Sequence, residues 1–316
     1  MKRYIFGVDI GGTTVKMGLF DIKGELLDKW EIPTVTANNG EAILPDVAQS
    51  IKTKMTDMNI GMEEVVGIGL GAPGPIDAAG TLYKTANLGW DTVFNLPKAL
   101  QQYINLPVEA GNDANLAALG ELWQGGGKGY QDMVMVTLGT GVGGGIISDG
   151  KMLTGAKGSG GEIGHMHVED TEVEECGCHN RGCLEQYASA TGVVRLAKRR
   201  LEKDDASSLL RGEKLSAKRV FDAVKSKDPV AMEVGEQFGY YLGKGLASVA
   251  CVVDPEIFVI GGGVSRAGEV LFEYIRPCYE RYAFHACREA KLALATLGND
   301  AGIYGAAKLM LDRVER

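Results

Sequence analysis

The sequence has no long apolar run. No stretch of its 316 residues approaches the roughly 18 consecutive apolar residues that mark a membrane-spanning helix, so no membrane partner is expected. The opening MKRYIFGVDIGG is too short an apolar run for a secretion signal, and Asp9 interrupts it. The expected location is therefore cytoplasmic. Positive charge is also short. Lys and Arg number 33 against 41 Asp and Glu, a formal net charge of −8, which argues against a nucleic-acid partner. Cysteines are few, six in all, and in a reducing compartment they are not expected to pair as disulfides. A GxxxxGK[ST] phosphate loop is missing as well.

Glycine is what the chain has in quantity. Its 45 glycines are about twice the usual share, and they gather at the ends of strand-like segments, which points to engineered turns. YIFGVDI reads as a strand, GGTTVK as a turn, KMGLF as a second strand and LLDKWEI as a third. From residue 133 the plan recurs: MVMVTL, GTGVGG, GIIS, then the turn DGK. Two strand–turn–strand hairpins of one design suggest a duplicated architecture. Between them lie an amphipathic helix at about 41–58, the strand VVGIGLG and a helix at about 114–123. Beyond residue 185, EQYASATGVVRLAKRR, SAKRVFDAVK and PVAMEVGEQFGYYLGKGLASVACVV show helical spacing. Strands EIFVI and KLALATL (291–297) interrupt them, and a helix over 301–315 closes the chain. Strands mixed with crossover helices give an α/β class, and the length suits about two domains.

The glycine turns invite phosphate. Gly11 and Gly12 let backbone N–H groups approach an anion, Thr13 and Thr14 add hydroxyls, and Lys16 adds charge. Asp9, at a strand end, is placed to hold Mg2+ through water. GTGVGG fits the dinucleotide pattern GxGxxG in letters, but a strand follows it where that fold needs a helix. A second phosphate turn through Thr140 and Gly141 suits it better. Gly262 and Gly263, after EIFVI, leave room for a flat ring or a ribose. In ECGCHNRGC, Cys176, Cys178 and Cys183 crowd one loop. Clustered thiols in a reducing compartment point to metal, and tetrahedral zinc needs a fourth ligand. His165, His167 and His179 are the candidates, although His179 adjoins Cys178 and would strain the loop. The remaining cysteines, Cys251, Cys278 and Cys287, read as small core residues.

DIGGTTVK, GLGAPGPID, GNDAN, LGTGVGGG, GGEIGH, CGCHNRGCLE and IGGGVS follow one another across nearly the whole chain. In this order they resemble the ROK family of bacterial sugar kinases and repressors, within the actin-like ATPase superfamily. The resemblance implies two α/β domains of duplicated plan around a central cleft. We expect 1–112 plus 301–316 as the small domain and 113–300 as the large one, carrying the zinc loop. It implies ATP on the glycine hairpins, a hexose deep in the cleft and a homo-oligomer, dimer or tetramer. Asn112 and Asp113, which taken alone read as a helix cap, become by resemblance a sugar contact and the catalytic base. The helix N-terminus is expected to keep Asp113 ionised, and a loose phosphoryl-transfer transition state asks little of a base. Asn87, Glu162, His165 and Glu185 suit the remaining sugar hydroxyls. The family signature favours His165 as the zinc histidine, in a structural site with Cys176, Cys178 and Cys183. The family has glycine where His179 stands, so His179 is expected to carry strain if its φ is positive. The expected function is an ATP-dependent glucokinase. Kinases for fructose, mannose or N-acetylmannosamine are the alternative. A sugar-sensing repressor is disfavoured, because a first strand at Tyr4 leaves no room for a DNA-binding domain before it.

Overall fold

The computed structural model describes residues 2–83, 85 and 87–314. The described residues form twelve strands: β1 (Tyr4–Ile10), β2 (Thr14–Asp21), β3 (Leu26–Pro33), β4 (Val65–Ala72), β5 (Thr81–Leu82), β6 (Phe94–Asn95), β7 (Val108–Asn112), β8 (Met133–Leu138), β9 (Val142–Ser148), β10 (Lys151–Met152), β11 (Ile257–Gly261) and β12 (Lys291–Leu294). They form two five-stranded sheets, ordered β3-β2-β1-β4-β7 and β10-β9-β8-β11-β12, and a small β5–β6 hairpin. In each large sheet an antiparallel hairpin leads, and two further strands pair parallel on its far side. The duplicated plan is therefore present in the hydrogen bonding, where the letters show it only weakly.

Two helices occupy the space between the sheets. Asp113–Gln124 leaves β7 and lies on the second sheet, where Gly145 leaves room for Ala118. The closing helix Ala301–Val314 lies on the first sheet, and its Ile303, Ala307 and Met310 join Ile5, Phe20 and Val66 in one buried cluster. These helices also pack on each other. A Cβ at Gly305 would overlap the Leu116 carbonyl and one at Gly120 the Ala301 carbonyl, while on β4 a Cβ at Gly69 would overlap the Ala306 carbonyl of the closing helix. Only glycine permits backbone contact this close.

Some expected boundaries move. The apolar run over 185–200 is two helices, Glu185–Ala188 and Ala190–Leu201, because Ser189 turns extended and its hydroxyl caps Gly192 N at 3.0 Å. β12 stops at Leu294, short of the expected 297: Ala295 N still donates to Ile260 O of β11 at 2.9 Å, but the Thr296 and Leu297 amides turn to a buried carboxylate, Glu121. The expected end of the closing helix at 315 lies outside the described residues. Helix Val270–Tyr282, which carries Pro277 inside it, packs Leu271, Ile275 and Tyr279 into the buried cluster on the second sheet. Of the three cysteines expected in the core only Cys287 is buried. Cys278 is half-buried, and Cys251 is exposed in the last turn of helix Pro229–Val253, which faces solvent.

Candidate active site and metal centre

The parallel strands bring their carboxyl ends to one edge of each sheet. Along the first, Asp9 pairs with Gly71 and Ala72 with Asn112. The Asn112 Oδ1 accepts from Asn115 N at 3.1 Å, capping helix Asp113–Gln124, while its Nδ2 donates to Gly74 O at 3.0 Å and to Asp113 Oδ1 at 2.9 Å. Ala114 N also donates to Asp113 Oδ1, at 2.8 Å. Both donors fall on one oxygen. Oδ2 takes neither of them and is the one left to receive a proton.

At Asp113 burial outweighs the amides of the helix N-terminus. Burial raises its pKa above the ordinary aspartate value, and the Glu162 charge adds to that, against the pull of the backbone amides and Asn112. Asp9 is shifted further, to about 6, by burial first and the Asp113 charge second, with Lys16 opposing. Two carboxylates thus repel across the strand ends of the first sheet, a place suited to a cation. The Lys16 ammonium also donates to Asn299 O at 3.0 Å, so it spans from β2 to the turn before the closing helix.

The first glycine turn is tight: Gly11 N donates to Thr14 O at 3.0 Å, and Thr34 Oγ1 donates to Gly11 O at 2.7 Å. Thr13 holds Thr34 N through its carbonyl at 2.9 Å. A Cβ on Gly12 would come within 3.5 Å of Asn87 Cβ. The expected phosphate turn and the expected sugar residue Asn87, itself left-handed with φ 69°, are therefore neighbours.

On the second sheet, Gly139 N donates to Gly141 O at 3.0 Å, and Thr140 O accepts from Thr191 Oγ1 at 2.8 Å. Gly262, at φ 82°, passes so close to Leu138 that a Cβ would stand 2.6 Å from its backbone, whereas Gly263 is open. Sequence reasoning missed what adjoins Thr140, a cavity of about 710 Å³ whose lining includes Thr191, Val194, Lys198 and Ser216. The one signal for it was the pair Ser189 and Thr191 opening a helix that faces the turn.

Glu162 precedes a short 3-10 turn, Ile163–His165, and His165 N donates to Glu162 O at 3.2 Å. His165, Cys176, Cys178 and Cys183 offer one ligand atom each, all within 4.8 Å of one another. Cys176 Sγ is 3.8 Å from His165 Nδ1, and Cys178 Sγ is 3.6 Å from Cys183 Sγ. Zinc–sulfur bonds of about 2.3 Å in a tetrahedron give ligand separations of about 3.8 Å, so these four residues fit that ion. Burial and the neighbouring thiols push Cys183 up to about 12, a crowding that a divalent cation relieves. The other two candidate histidines are not part of this group of ligand atoms. His167 Nδ1 meets Arg181 O at 2.9 Å and Nε2 meets Asp170 Oδ1 at 2.7 Å. His179 takes φ 68° and donates its backbone N–H to Cys176 O at 2.8 Å.

Glu185 joins the two halves of the site. Its Oε2 accepts from Val142 N at 2.9 Å, beside the second glycine turn, and its Oε1 lies 3.6 Å from Cys176 Sγ. Deeper in the loop, the buried Glu172 holds Tyr187, Arg195 and Arg199, with Arg199 Nη2 at 3.0 Å from Oε1. The thiol loop is thereby fastened to the helix that lines the 710 Å³ cavity.

Comparison with known proteins agrees with this geometry. The chain is 43% identical over 314 residues to a glucokinase of Halalkalibacterium halodurans, covering 98% of this chain and 95% of that protein. Among solved structures, a ROK hexokinase from Thermus thermophilus matches with a TM-score of 0.83 at 32% identity, covering 99% of each chain. A ROK family glucokinase from Streptomyces griseus, in complex with glucose and AMPPNP, matches with a TM-score of 0.72 at 34% identity over 97% of this chain and 98% of that one. The ROK family model matches residues 5–313, and the chain belongs to the ROK family.

Proposed function

We propose that this chain is an ATP-dependent hexose kinase that transfers the γ-phosphate to the 6-hydroxyl of glucose, with Asp113 as general base. The observation that carries the reading is the one-sided bonding of Asp113: Asn112 and Ala114 fix Oδ1, so Oδ2 can orient the attacking hydroxyl and accept its proton. A raised pKa makes Asp113 a better base than an ordinary aspartate. Asn87, Asn112, Glu162, His165 and Glu185 would meet the sugar. Gly11, Gly12, Thr13, Thr14, Thr140 and Gly141 would hold the ATP phosphates, with Lys16 close by. The cavity beyond Thr140 would take the nucleoside, next to Gly262 and Gly263. Asp9 would hold Mg2+ through water, and that ion would neutralise developing phosphate charge. The zinc would be structural. With four protein ligands it has no open position for water, and it would fix the His165 ring through Nδ1 while Nε2 meets a sugar hydroxyl.

We take the first sheet with the closing helix, 1–112 plus 301–316, as the small lobe and 113–300 as the large one. Among the described residues no helix is long and apolar enough to cross a membrane. The same reading has the enzyme acting in the cytoplasm on small molecules, as a dimer or tetramer, which light scattering checks. The deciding assay is coupled ADP release over a panel of sugars. Glucose giving the highest kcat/KM supports the proposal. Preference for fructose, mannose or an N-acetylhexosamine would reassign the acceptor, and no ATP-dependent turnover with any sugar would end it.

A further inference from the structure

The fully buried carboxylate of Glu121 takes no part in the chemistry described so far. It sits in helix Asp113–Gln124 and accepts three backbone N–H bonds: Oε2 from Gly126 at 2.8 Å and from Thr296 at 3.0 Å, and Oε1 from Leu297 at 2.8 Å. The donors belong to two connections. Gly126 lies in the turn from this helix into β8, and Thr296 and Leu297 begin the return from β12 to the closing helix. Crowding shows how firmly the carboxylate is enclosed. A Cβ on Gly125 would collide with Oε2, and one on Gly126 would meet Leu294 O at 2.5 Å. Adjacent residues grip the other lobe. Gly120 lies against the Ala301 carbonyl, Trp123 packs on Phe20 and Tyr304, and Gln124 Nε2 donates to Lys23 O at 3.3 Å.

We propose that Glu121 is a positioning residue for phosphoryl transfer: it locks the return crossing to the far end of the helix whose first residue is Asp113. The proposal rests on the kinase reading above. Eight residues separate the two, about 12 Å of helix. A tilt of about 5° at Glu121 therefore shifts Asp113 by about 1 Å, a misplacement that can cost about 100-fold in rate. Three charge-assisted bonds at the pivot hold that angle, so Asp113 is presented to the donor phosphate in one place.

The test is Glu121→Gln, which keeps the shape but points an amide N–H2 at an N–H donor. Ile51→Ala, at a fully buried residue of a separate core cluster from those around the crossing, serves as the control for lost stability. Wild-type turnover of ATP with sugar is established first, so failure of the kinase reading shows there and not in the variant. Well below both melting temperatures, Glu121→Gln should lower kcat by about 10- to 100-fold with KM for sugar and ATP within about threefold, while Ile51→Ala keeps wild-type kcat. Glu121→Asp, too short to reach both crossings, should not restore the rate. A kcat within twofold of wild type in Glu121→Gln, or equal losses in both variants, overturns the proposal. Should the variant fail to fold, hydrogen exchange on the wild-type enzyme decides. The Gly126, Thr296 and Leu297 amides should exchange as slowly as the β8 and β11 amides, and exchange at exposed-turn rates would overturn it.

Discussion

Replacing Asp9 by asparagine should make the protein more stable and less active at once. Burial and the Asp113 charge raise this carboxyl to about 6, against an ordinary aspartate near 4, which corresponds to about 3 kcal/mol. A carboxyl whose folded pKa exceeds its unfolded one favours the fold while it holds its proton. That contribution is complete below about pH 4 and is lost as pH rises to about 6. Asparagine resembles the protonated form at every pH. The stability gap between variant and parent should therefore be near zero at pH 4, widen through pH 5 to 6, and level at about 3 kcal/mol above pH 7. Denaturant titrations in metal-free buffer across that range measure it, and thermal scans should show several degrees. Mg-ATP should stabilise the parent and not the variant, and turnover should fall sharply in the variant. The parent's own activity should climb as pH passes through about 6, where Asp9 ionises. A gap that does not change with pH, or a variant less stable than the parent at pH 7, would falsify the argument that Asp9 is an unrelieved buried charge waiting for a cation.

Other substitutions probe the remaining parts. Asp113→Ala should lower kcat by at least about 10³ with a smaller effect on glucose binding; activity within tenfold of wild type would remove its role as base. The purified enzyme should carry about one zinc per chain by elemental analysis. His165→Ala should lose both zinc and sugar affinity, and full activity after exhaustive chelation would reject the site. His179→Gly should keep zinc and activity, with melting temperature unchanged or slightly raised, because relief of the left-handed conformation (about 1 kcal/mol) offsets the added freedom of the unfolded chain. Thr140→Val should raise KM for ATP and spare sugar binding by calorimetry. Gly12→Val should weaken both ligands, because the new side chain reaches Asn87.

Strand ends and glycine turns were legible because their chemistry is local. DIGGTTVK and LGTGVGGG each announce a hairpin, and the two five-stranded sheets follow that duplicated plan. Cys176, Cys178 and Cys183 lie within eight residues of one another, so spacing gathered the thiols, while His165 was preferred to His167 and His179 through the family resemblance. What escaped depends on partners distant in sequence. The end of β12 is set by Glu121, 175 residues away from Thr296. The direction of the Asp113 shift depends on how deeply the lobes bury it, which a helix-cap pattern does not encode. The cavity beside Thr140 needs helix Ala190–Leu201 laid against that turn, and nothing in ATGVVRLAKRR names that neighbour. Lys16 and Glu185 were found by motif, yet their bonds to Asn299 and Val142 tie elements that only the fold brings together.

The closing helix has a consequence for biosynthesis. The first sheet is in hand once β4 ends at Ala72 and β7 at Asn112, but the helix that covers Ile5, Phe20 and Val66 does not begin until Ala301. At roughly 5–20 residues per second, the ribosome reaches that helix on the order of 10–50 s after finishing β4. During that interval one face of the nascent sheet has no cover of its own. The second sheet, complete once β12 ends at Leu294, can assemble first, and the first sheet must wait for the last helix. A stalled or truncated chain that ends before Ala301 should thus be a chaperone client and prone to aggregate, even though it carries every residue assigned to the active site.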